Sequence, residues 1–143
     1  MPQLTLADAG RIIAGAFAKA AEAGFRPLGI SVLDAGGHLV AFQRQDGASF
    51  LRPEMSAGKA YGALAIGAGS RRLEAFATER PHLVSGVSDV SGGRIVPVAG
   101  GVLIRNAEGG IIGAVGVSGD TSDNDETAAI AGIESAGFTA DAG

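Results

Sequence analysis

The chain has 143 residues, a length that fits one domain with one core, and 46% of its residues are hydrophobic. Its formal net charge is −4 and its eleven lysines and arginines are scattered, which argues against a nucleic-acid-binding protein. The absence of cysteine excludes disulfides, thiolate nucleophiles and Cys-ligated metal centres, but leaves open haem held by His, Tyr or a carboxylate. We therefore expect a single folded domain over residues 1–143.

The first predicted element is a helix that begins near Leu6. Thr5 supplies a hydroxyl cap and Asp8 an acid three residues later, which is the pattern of a capping box. Gly24 followed by Pro27 predicts the end of the helix. The apolar residues with helical spacing are Ile12, Ile13, Phe17 and Ala20.

A β-hairpin follows the first helix. Residues 28–33 and 38–43 are two short β-type runs, and Asp34-Ala35-Gly36-Gly37 between them supplies the glycines that a tight turn needs. Many of the 24 glycines separate apolar segments in this way, so they predict turns rather than a low-complexity tract.

A second helix is predicted over residues 54–67, just after Pro53. It contains Gly58 and Gly62 among several alanines, and each interior glycine costs roughly 1 kcal/mol relative to alanine. Close packing against a neighbouring helix or a second subunit must recover that cost. We therefore predict a homo-oligomer, at least a dimer, with this helix at or next to the interface.

The rest of the chain predicts a short helix, three strands and a final helix. The short helix covers residues 71–77, and residues 81–93 are predicted to form a long irregular loop. The strands are residues 94–98, 102–105 and 111–117, which brings the total to about five and predicts an α/β (α+β) fold. The final helix is predicted to start at Ser122 with Asp125 at the third position, and Ala128, Ile130, Ile133 and Ala136 form its apolar face.

The sequence shows no targeting or membrane-spanning signal. Met1–Thr5 contains no basic region followed by an apolar run, and no segment approaches about 18 consecutive apolar residues. We expect a cytoplasmic protein without a membrane partner.

Several motifs together carry a family resemblance. They are Val32-Leu33-Asp34-Ala35-Gly36-Gly37-His38-Leu39-Val40-Ala41-Phe42, Gly58-Lys59-Ala60, Gly100-Gly101-Val102, and Gly113-Ala114-Val115-Gly116-Val117-Ser118-Gly119 followed by Asp125-Glu126. Their order and spacing, from about Leu4 to Gly137, resemble the GlcG/HbpS-like family of haem-binding and haem-degrading proteins. The C-terminal domain of PduO proteins is also similar. The resemblance implies a profilin-like antiparallel sheet of about five strands flanked by helices, assembled as a homo-oligomer.

Haem requires an axial ligand, and the candidates are His38, His82 and Tyr61. His38 begins a strand after the tight turn, so it is either a ligand or a partly exposed hairpin residue. His82 follows proline in the predicted loop, where a histidine is either functional or simply solvated.

The turn formed by Gly116, Ser118 and Gly119 is the candidate anion site. It leads into the final helix, whose N-terminus favours a carboxylate or a haem propionate. Lys59 would face the same pocket if the second and final helices converge. The alternatives are an ordinary strand-to-helix turn and a lysine paired with Glu54 or a surface carboxylate.

Asp125 and Glu126 are candidate cation ligands or proton-transfer groups, although acids are also favoured in a first helical turn by the helix dipole. No spacing indicates a catalytic triad, and two histidines are too few for a His-rich metal site. Two functions stay open. The first is haem binding with haem degradation as a further activity. The second is a cofactor-free enzyme or binding module for a small organic acid in a catabolic pathway.

Overall fold

A computed structural model describes residues 3–143 of the chain. Met1 and Pro2, the start of the segment in which we find no leader pattern, lie outside these residues. The helices and strands follow in the order α1 (Leu6–Ala23), β1 (Gly29–Asp34), β2 (Leu39–Arg44), α2 (Arg52–Ile66), α3 (Ser70–Glu79), α4 (Pro81–Val90), β3 (Gly101–Arg105), β4 (Ile111–Ser118), α5 (Ser122–Ser135) and β5 (Thr139–Asp141).

The strands form one sheet in the order β2-β1-β4-β3-β5. Every neighbouring pair is antiparallel, and β4 is the central strand. The predicted α+β fold with a five-stranded antiparallel sheet flanked by helices is therefore confirmed.

Helix α1 begins and ends as its sequence predicts. The Asp8 amide donates to the Thr5 hydroxyl and the Thr5 amide donates to the Asp8 carboxylate, both at 3.0 Å. Gly24 then ends the helix with a left-handed φ of 72°, a conformation that glycine adopts without steric cost. Among residues 3–143, no helix is both long and apolar enough to cross a membrane.

Helices α1 and α5 cover one face of the sheet with an apolar layer. The buried aliphatic side chains on this face are Ile12, Ile13, Ile30, Val32, Val102, Ile104, Val115, Val117 and Ile133. Burial of such surface contributes about 25 cal/mol per Å², so this layer is the main hydrophobic core.

Helix α2 covers the opposite face, and small residues let it lie close to the strands. The buried apolar cluster here consists of Leu33, Ala60, Ala63, Leu103 and Ala114. A Cβ on Gly116 of β4 would lie only 1.7 Å from the Ser56 carbonyl oxygen of α2. The helix backbone therefore rests directly on the central strand.

The glycines of α2 pack inside the chain. A Cβ on Gly58 would lie 2.5 Å from Val96 Cγ2, and one on Gly62 would lie 2.8 Å from Leu73 Cδ2. The close neighbour that these glycines require is thus the chain's own 94–96 segment and α3. Of the two neighbours that the sequence left open, a helix or a second subunit, these two glycines meet the first, and the predicted interface at or next to α2 stays a prediction.

The segment predicted as a loop over residues 81–93 is mostly helix α4. Pro81 occupies the first turn, where its fixed φ suits a helix. Half-buried Leu83, Val84 and Val87 have helical spacing, and α4 packs only against α3 within the described chain. The sequence of α4 gives a weak helix signal because it contains serine and glycine and because none of its residues is fully buried.

The predicted strand at residues 94–98 is also wrong. The Val96 amide donates to the Gly58 carbonyl oxygen of α2 at 3.1 Å and not to a neighbouring strand. The fifth strand is β5, which pairs with β3. The cap of α5 is also one residue earlier than predicted, because the Thr121 hydroxyl accepts from the Asn124 amide.

Candidate functional site

The turn between β1 and β2 is organised by one carboxylate. Asp34 Oδ1 accepts the Gly36 amide at 2.9 Å, the His38 amide at 3.0 Å and the imidazole Nδ1 of His38 at 3.2 Å. These bonds, the backbone N–H of His38 first, lower the pKa of Asp34 below its ordinary value. Asp34 is therefore an ionised acceptor at neutral pH.

This contact orients the His38 ring. A carboxylate can only accept, so Nδ1 must carry the proton and donate. In the neutral ring, Nε2 then keeps a free lone pair. The His38 side chain is 80% exposed, so Nε2 is accessible from solvent. Metal-ligating histidines commonly make such a contact through the other ring nitrogen, so the geometry is compatible with a ligand role, which stays a prediction.

His38 lies at the edge of a cleft of about 440 Å³. We call it the His38 cleft. The walls are mainly apolar, and the lining residues are Gln3, Leu4, Asp34, Ala35, Gly36, His38, Val40, Ile111 and Ile112. It combines an apolar surface with one accessible imidazole.

A second cleft, of about 420 Å³, lies beside the same hairpin and contains Tyr61. We call it the Tyr61 cleft. The Arg94 guanidinium lies over the Tyr61 ring, with Cζ 4.9 Å from the ring centroid. The structure thus places His38 and Tyr61 in separate clefts rather than in one pocket.

A third cleft, of about 540 Å³, contains none of the predicted site residues. It is lined by Phe17, Phe25, Pro27, Gln43, Arg44, Gln45 and Asp46. None of its lining residues is a histidine or a tyrosine, so it offers no candidate haem ligand of either type.

His82 lies in the first turn of α4 and is exposed. It lines none of the three clefts, so it does not join His38. Its role as a haem ligand stays a prediction.

Lys59 and Asp125 meet, but as partners of each other. Lys59 Nζ lies 3.0 Å from Asp125 Oδ2 and donates to the Val117 carbonyl oxygen at 2.9 Å, and both side chains are buried. The second and final helices lie on opposite faces of the sheet, and the long Lys59 side chain reaches the first turn of α5 beside the end of β4. Lys59 therefore pairs with a carboxylate of the chain, and the predicted roles of Lys59 and Asp125 at a ligand stay predictions that this ion pair does not favour.

The predicted turn at residues 116–119 is the end of β4 followed by Gly119, and it is closely packed. Gly116 contacts α2, and the Ser118 hydroxyl accepts from Arg52 Nη1 at 2.6 Å. A Cβ on Gly119 would lie 2.3 Å from the Pro27 carbonyl oxygen. These residues allow close packing, and the structure does not present them to a propionate.

The α5 N-terminus binds the chain's own acids. The Asp120 amide donates to Asp125 Oδ1 at 2.9 Å, and Asp120 itself accepts the Arg26 amide at 2.7 Å. Negative charge already occupies the place where the sequence suggested an anion. The observed contacts argue against the predicted carboxylate site here.

Glu126 pairs with a cation of the chain. Its carboxylate lies 2.9 Å from Arg71 Nε, and Arg71 also contacts Asp123. These contacts raise the pKa of the Arg71 guanidinium above its ordinary value, and the hydrogen bond with Glu126 is the largest cause. No group of three or more His, Asp or Glu side chains within residues 3–143 is arranged to hold a metal ion. The suggested cation site at Asp125 and Glu126 therefore has no support from the geometry.

Comparison with known proteins identifies the family. The model of the family described as haem degrading protein HbpS-like matches residues 4–134. The chain belongs to the HbpS-like family. This confirms the resemblance drawn from the hairpin and glycine motifs.

Three relatives illustrate the similarity. An uncharacterised 15.0 kDa protein from the dhaT-dhaS intergenic region of Citrobacter freundii is 36% identical over 123 residues, 85% of this chain and 84% of that protein. The crystal structure of ORFY from Klebsiella pneumoniae is 30% identical with a TM-score of 0.84, covering 95% of this chain and 92% of that one. A complex of PduOC with haem is 23% identical with a TM-score of 0.84, covering 96% and 97%.

Two groups in this HbpS-like chain were missed by the sequence analysis. Asp34 was treated only as a turn residue, although its position four residues before His38 was visible and suits a side chain that binds back to its own turn. Arg94 was placed in a strand. No local signal relates it to Tyr61, which lies 33 residues earlier.

Proposed function

We propose that this chain binds haem in the His38 cleft, with Nε2 of His38 as the axial ligand. The observation that carries the proposal is the Nδ1 contact of His38 with Asp34 at the edge of an apolar cleft. The HbpS-like family description and the PduOC haem complex support it.

The residues present fit a porphyrin. Leu4, Val40, Ile111 and Ile112 offer apolar surface to the ring, and His38 offers nitrogen to the iron. No lysine or arginine in the described chain lines this cleft, so we expect the propionates to lie in solvent. Bound haem would supply a redox-active iron, and the protein would supply its ligand and shield part of the ring from water.

A hemin titration tests the proposal, and the chain offers a matched control because it has only two histidines. We expect a saturable Soret shift that is lost in His38→Ala and kept in His82→Ala. Equal binding by His38→Ala and the wild type would contradict the assignment. A loss confined to Tyr61→Phe would move the ligand to the other cleft.

We include haem degradation as the further activity under test. After loading, ascorbate is added in air. Loss of the Soret band with release of iron would support degradation, whereas a Soret band that stays constant would limit the function to binding.

We also propose self-association through α4 rather than α2. None of the ten residues of α4 is buried, and Val90 at its end is 88% exposed. A helix whose apolar side chains at 83, 84, 87 and 90 stay partly exposed gains stability when a second copy covers them. Light scattering tests this: we expect a mass above the 14.1 kDa chain that falls to it in Val90→Glu. A wild-type monomer at micromolar concentration would contradict the proposal.

A further inference from the structure

The Tyr61 cleft has a chemical character of its own. Its walls are largely apolar, and the lining residues are Leu33, Gly37, Leu39, Glu54, Met55, Ala57, Gly58, Tyr61, Gly93, Arg94 and Val96. Leu39 of the edge strand β2 is opposite Leu33 across the hairpin and is 61% exposed, so it offers apolar surface to this cleft. The cleft volume, about 420 Å³, lies in the range of small-molecule sites.

Arg94 gives this cleft a positioned positive charge. Its Nε donates to the Ser91 carbonyl oxygen at 2.7 Å, and its guanidinium lies over the Tyr61 ring. Arg94 is exposed, and these two contacts restrict where its guanidinium lies. Within residues 3–143, no carboxylate pairs with Arg94, and its two terminal amino groups make no hydrogen bond. A free, oriented guanidinium edge is the group that recognises a carboxylate through two parallel bonds.

Glu54 restricts what the cleft accepts. It lies in the first turn of α2, is exposed, and forms no ion pair with any described residue. A second negative charge on a ligand would approach this carboxylate, so a dicarboxylate is disfavoured relative to a monocarboxylate.

We propose that the Tyr61 cleft binds a small apolar monocarboxylate. The carboxylate contacts the Arg94 guanidinium, and the hydrocarbon part lies against Leu39, Met55 and the Tyr61 ring. This site shares no lining residue with the His38 cleft, although both lie beside the same hairpin. It also differs from the packed turn at residues 116–119, where the sequence had suggested an acid.

The chain supplies its own probe for the test. Tyr61 is its single tyrosine and it has no tryptophan, so all tyrosine emission comes from this cleft. Cyclohexanecarboxylate does not absorb where tyrosine does, and we expect it to change this emission saturably. Calorimetry then measures the affinity of variants.

Two neutral substitutions form a matched pair. Arg94→Gln should weaken cyclohexanecarboxylate binding about 10-fold or more, because it removes a charged double hydrogen bond. Glu54→Gln should strengthen binding, because it removes a like charge. Cyclohexylmethanol, which keeps the ring and lacks the charge, should bind about 10-fold more weakly.

Three results would overturn this proposal. They are no saturable signal below about 10 mM, unchanged affinity in Arg94→Gln, and equal affinity for the alcohol and the acid. His38→Ala should leave the carboxylate affinity unchanged, whereas it should abolish the Soret shift. The failure of one site is therefore distinguishable from the failure of the other.

Discussion

The two faces of the sheet are covered by different physical means. On the face of α1 and α5, branched side chains such as Ile104 and Ile133 fill the space. On the face of α2, backbone lies against backbone at Gly116, and polar groups fill the remaining volume, as where the Ser31 and Ser56 hydroxyls meet at 2.6 Å. The stability of the first face depends on side-chain volume. The stability of the second depends on the close approach of the two backbones and on hydrogen bonds. The same sheet should therefore respond oppositely to added and removed atoms.

The largest effect is expected from adding one methyl group to the α2 face. Gly116→Ala would place Cβ within 1.7 Å of the Ser56 carbonyl oxygen, which belongs to helix backbone and cannot rotate away. Overpacking of mobile side chains costs about 1–3 kcal/mol, so we expect a loss of more than about 3 kcal/mol here. Urea denaturation measures it.

The control is the same substitution at an exposed glycine of α1. Gly10→Ala places its Cβ in open space, and alanine favours a helix over glycine by about 1 kcal/mol. We expect this variant to be slightly stabilised. If Gly116→Ala unfolds at the wild-type urea concentration, the close contact between β4 and α2 does not limit the side chain at position 116.

The next effect concerns the buried ion pair. Lys59→Met leaves the Asp125 carboxylate buried without its cation, a change that typically costs about 3–5 kcal/mol. The double variant with Asp125→Asn removes the orphaned charge and should recover much of the loss. Asp125→Asn alone completes the double-mutant cycle, and a loss in the double variant equal to the sum of the two single losses would show that the pair is not coupled.

Removing atoms from the apolar face should lower stability in step with the volume removed. Ile104 is fully buried there, and Ile104→Ala should lose about 2–5 kcal/mol. Ile104→Val, which removes one methylene, should lose about 1 kcal/mol. Circular dichroism during urea unfolding gives both values, and a loss that does not increase with the atoms removed would contradict the volume argument.

The smallest effect is a pH dependence at Asp120, beside the start of α5. The backbone N–H of Arg26, followed by Asn124 and Thr121, lowers the pKa of Asp120 to about 2 from 3.8. The ionised form therefore stabilises the fold above about pH 4, and this stabilisation is lost as the pH falls towards 2. Asp120→Asn should lower Tm at pH 6 and match the wild type near pH 2.

Asp8 and Asp34 set the background of that experiment. The backbone N–H of Thr5 is the largest cause that lowers the pKa of Asp8, and the backbone N–H of His38 is the largest cause that lowers the pKa of Asp34. The wild type and Asp120→Asn therefore both keep some acid sensitivity. A Tm difference that is constant from pH 6 to pH 2 would contradict the assignment to Asp120.

The elements with local signals were predictable from sequence. Helix α1 is delimited by the capping box of Thr5 and Asp8 at its start and by Gly24 at its end. These hydrogen bonds and the φ angle of Gly24 depend on neighbouring residues alone. The hairpin at residues 34–38 has the same local origin. Helix α4 and strand β5 were missed because a partly exposed ten-residue helix and a three-residue strand depend on tertiary packing more than on pattern.

The candidate site was less predictable because its contacts join distant residues. Lys59 meets Asp125 across 66 positions, and Arg94 meets Tyr61 across 33. Each was visible as a charged or aromatic residue, but its partner depends on how the helices lie across the sheet. Thus His38 was identified as a candidate from its local motif. Lys59 and Asp125 were predicted to contact ligands, whereas in the fold they form an ion pair with each other.

The contact of Gly116 with the backbone of α2 has an evolutionary consequence. On the apolar face, a sequence can exchange isoleucine for valine one position at a time, since neighbouring side chains absorb each change. On the α2 face, a side chain at position 116 requires the whole helix to move, and with it the packing of Gly58 and Gly62. We expect lineages of this family to vary these positions together or not at all, so that one face of the sheet drifts freely while the other changes in blocks.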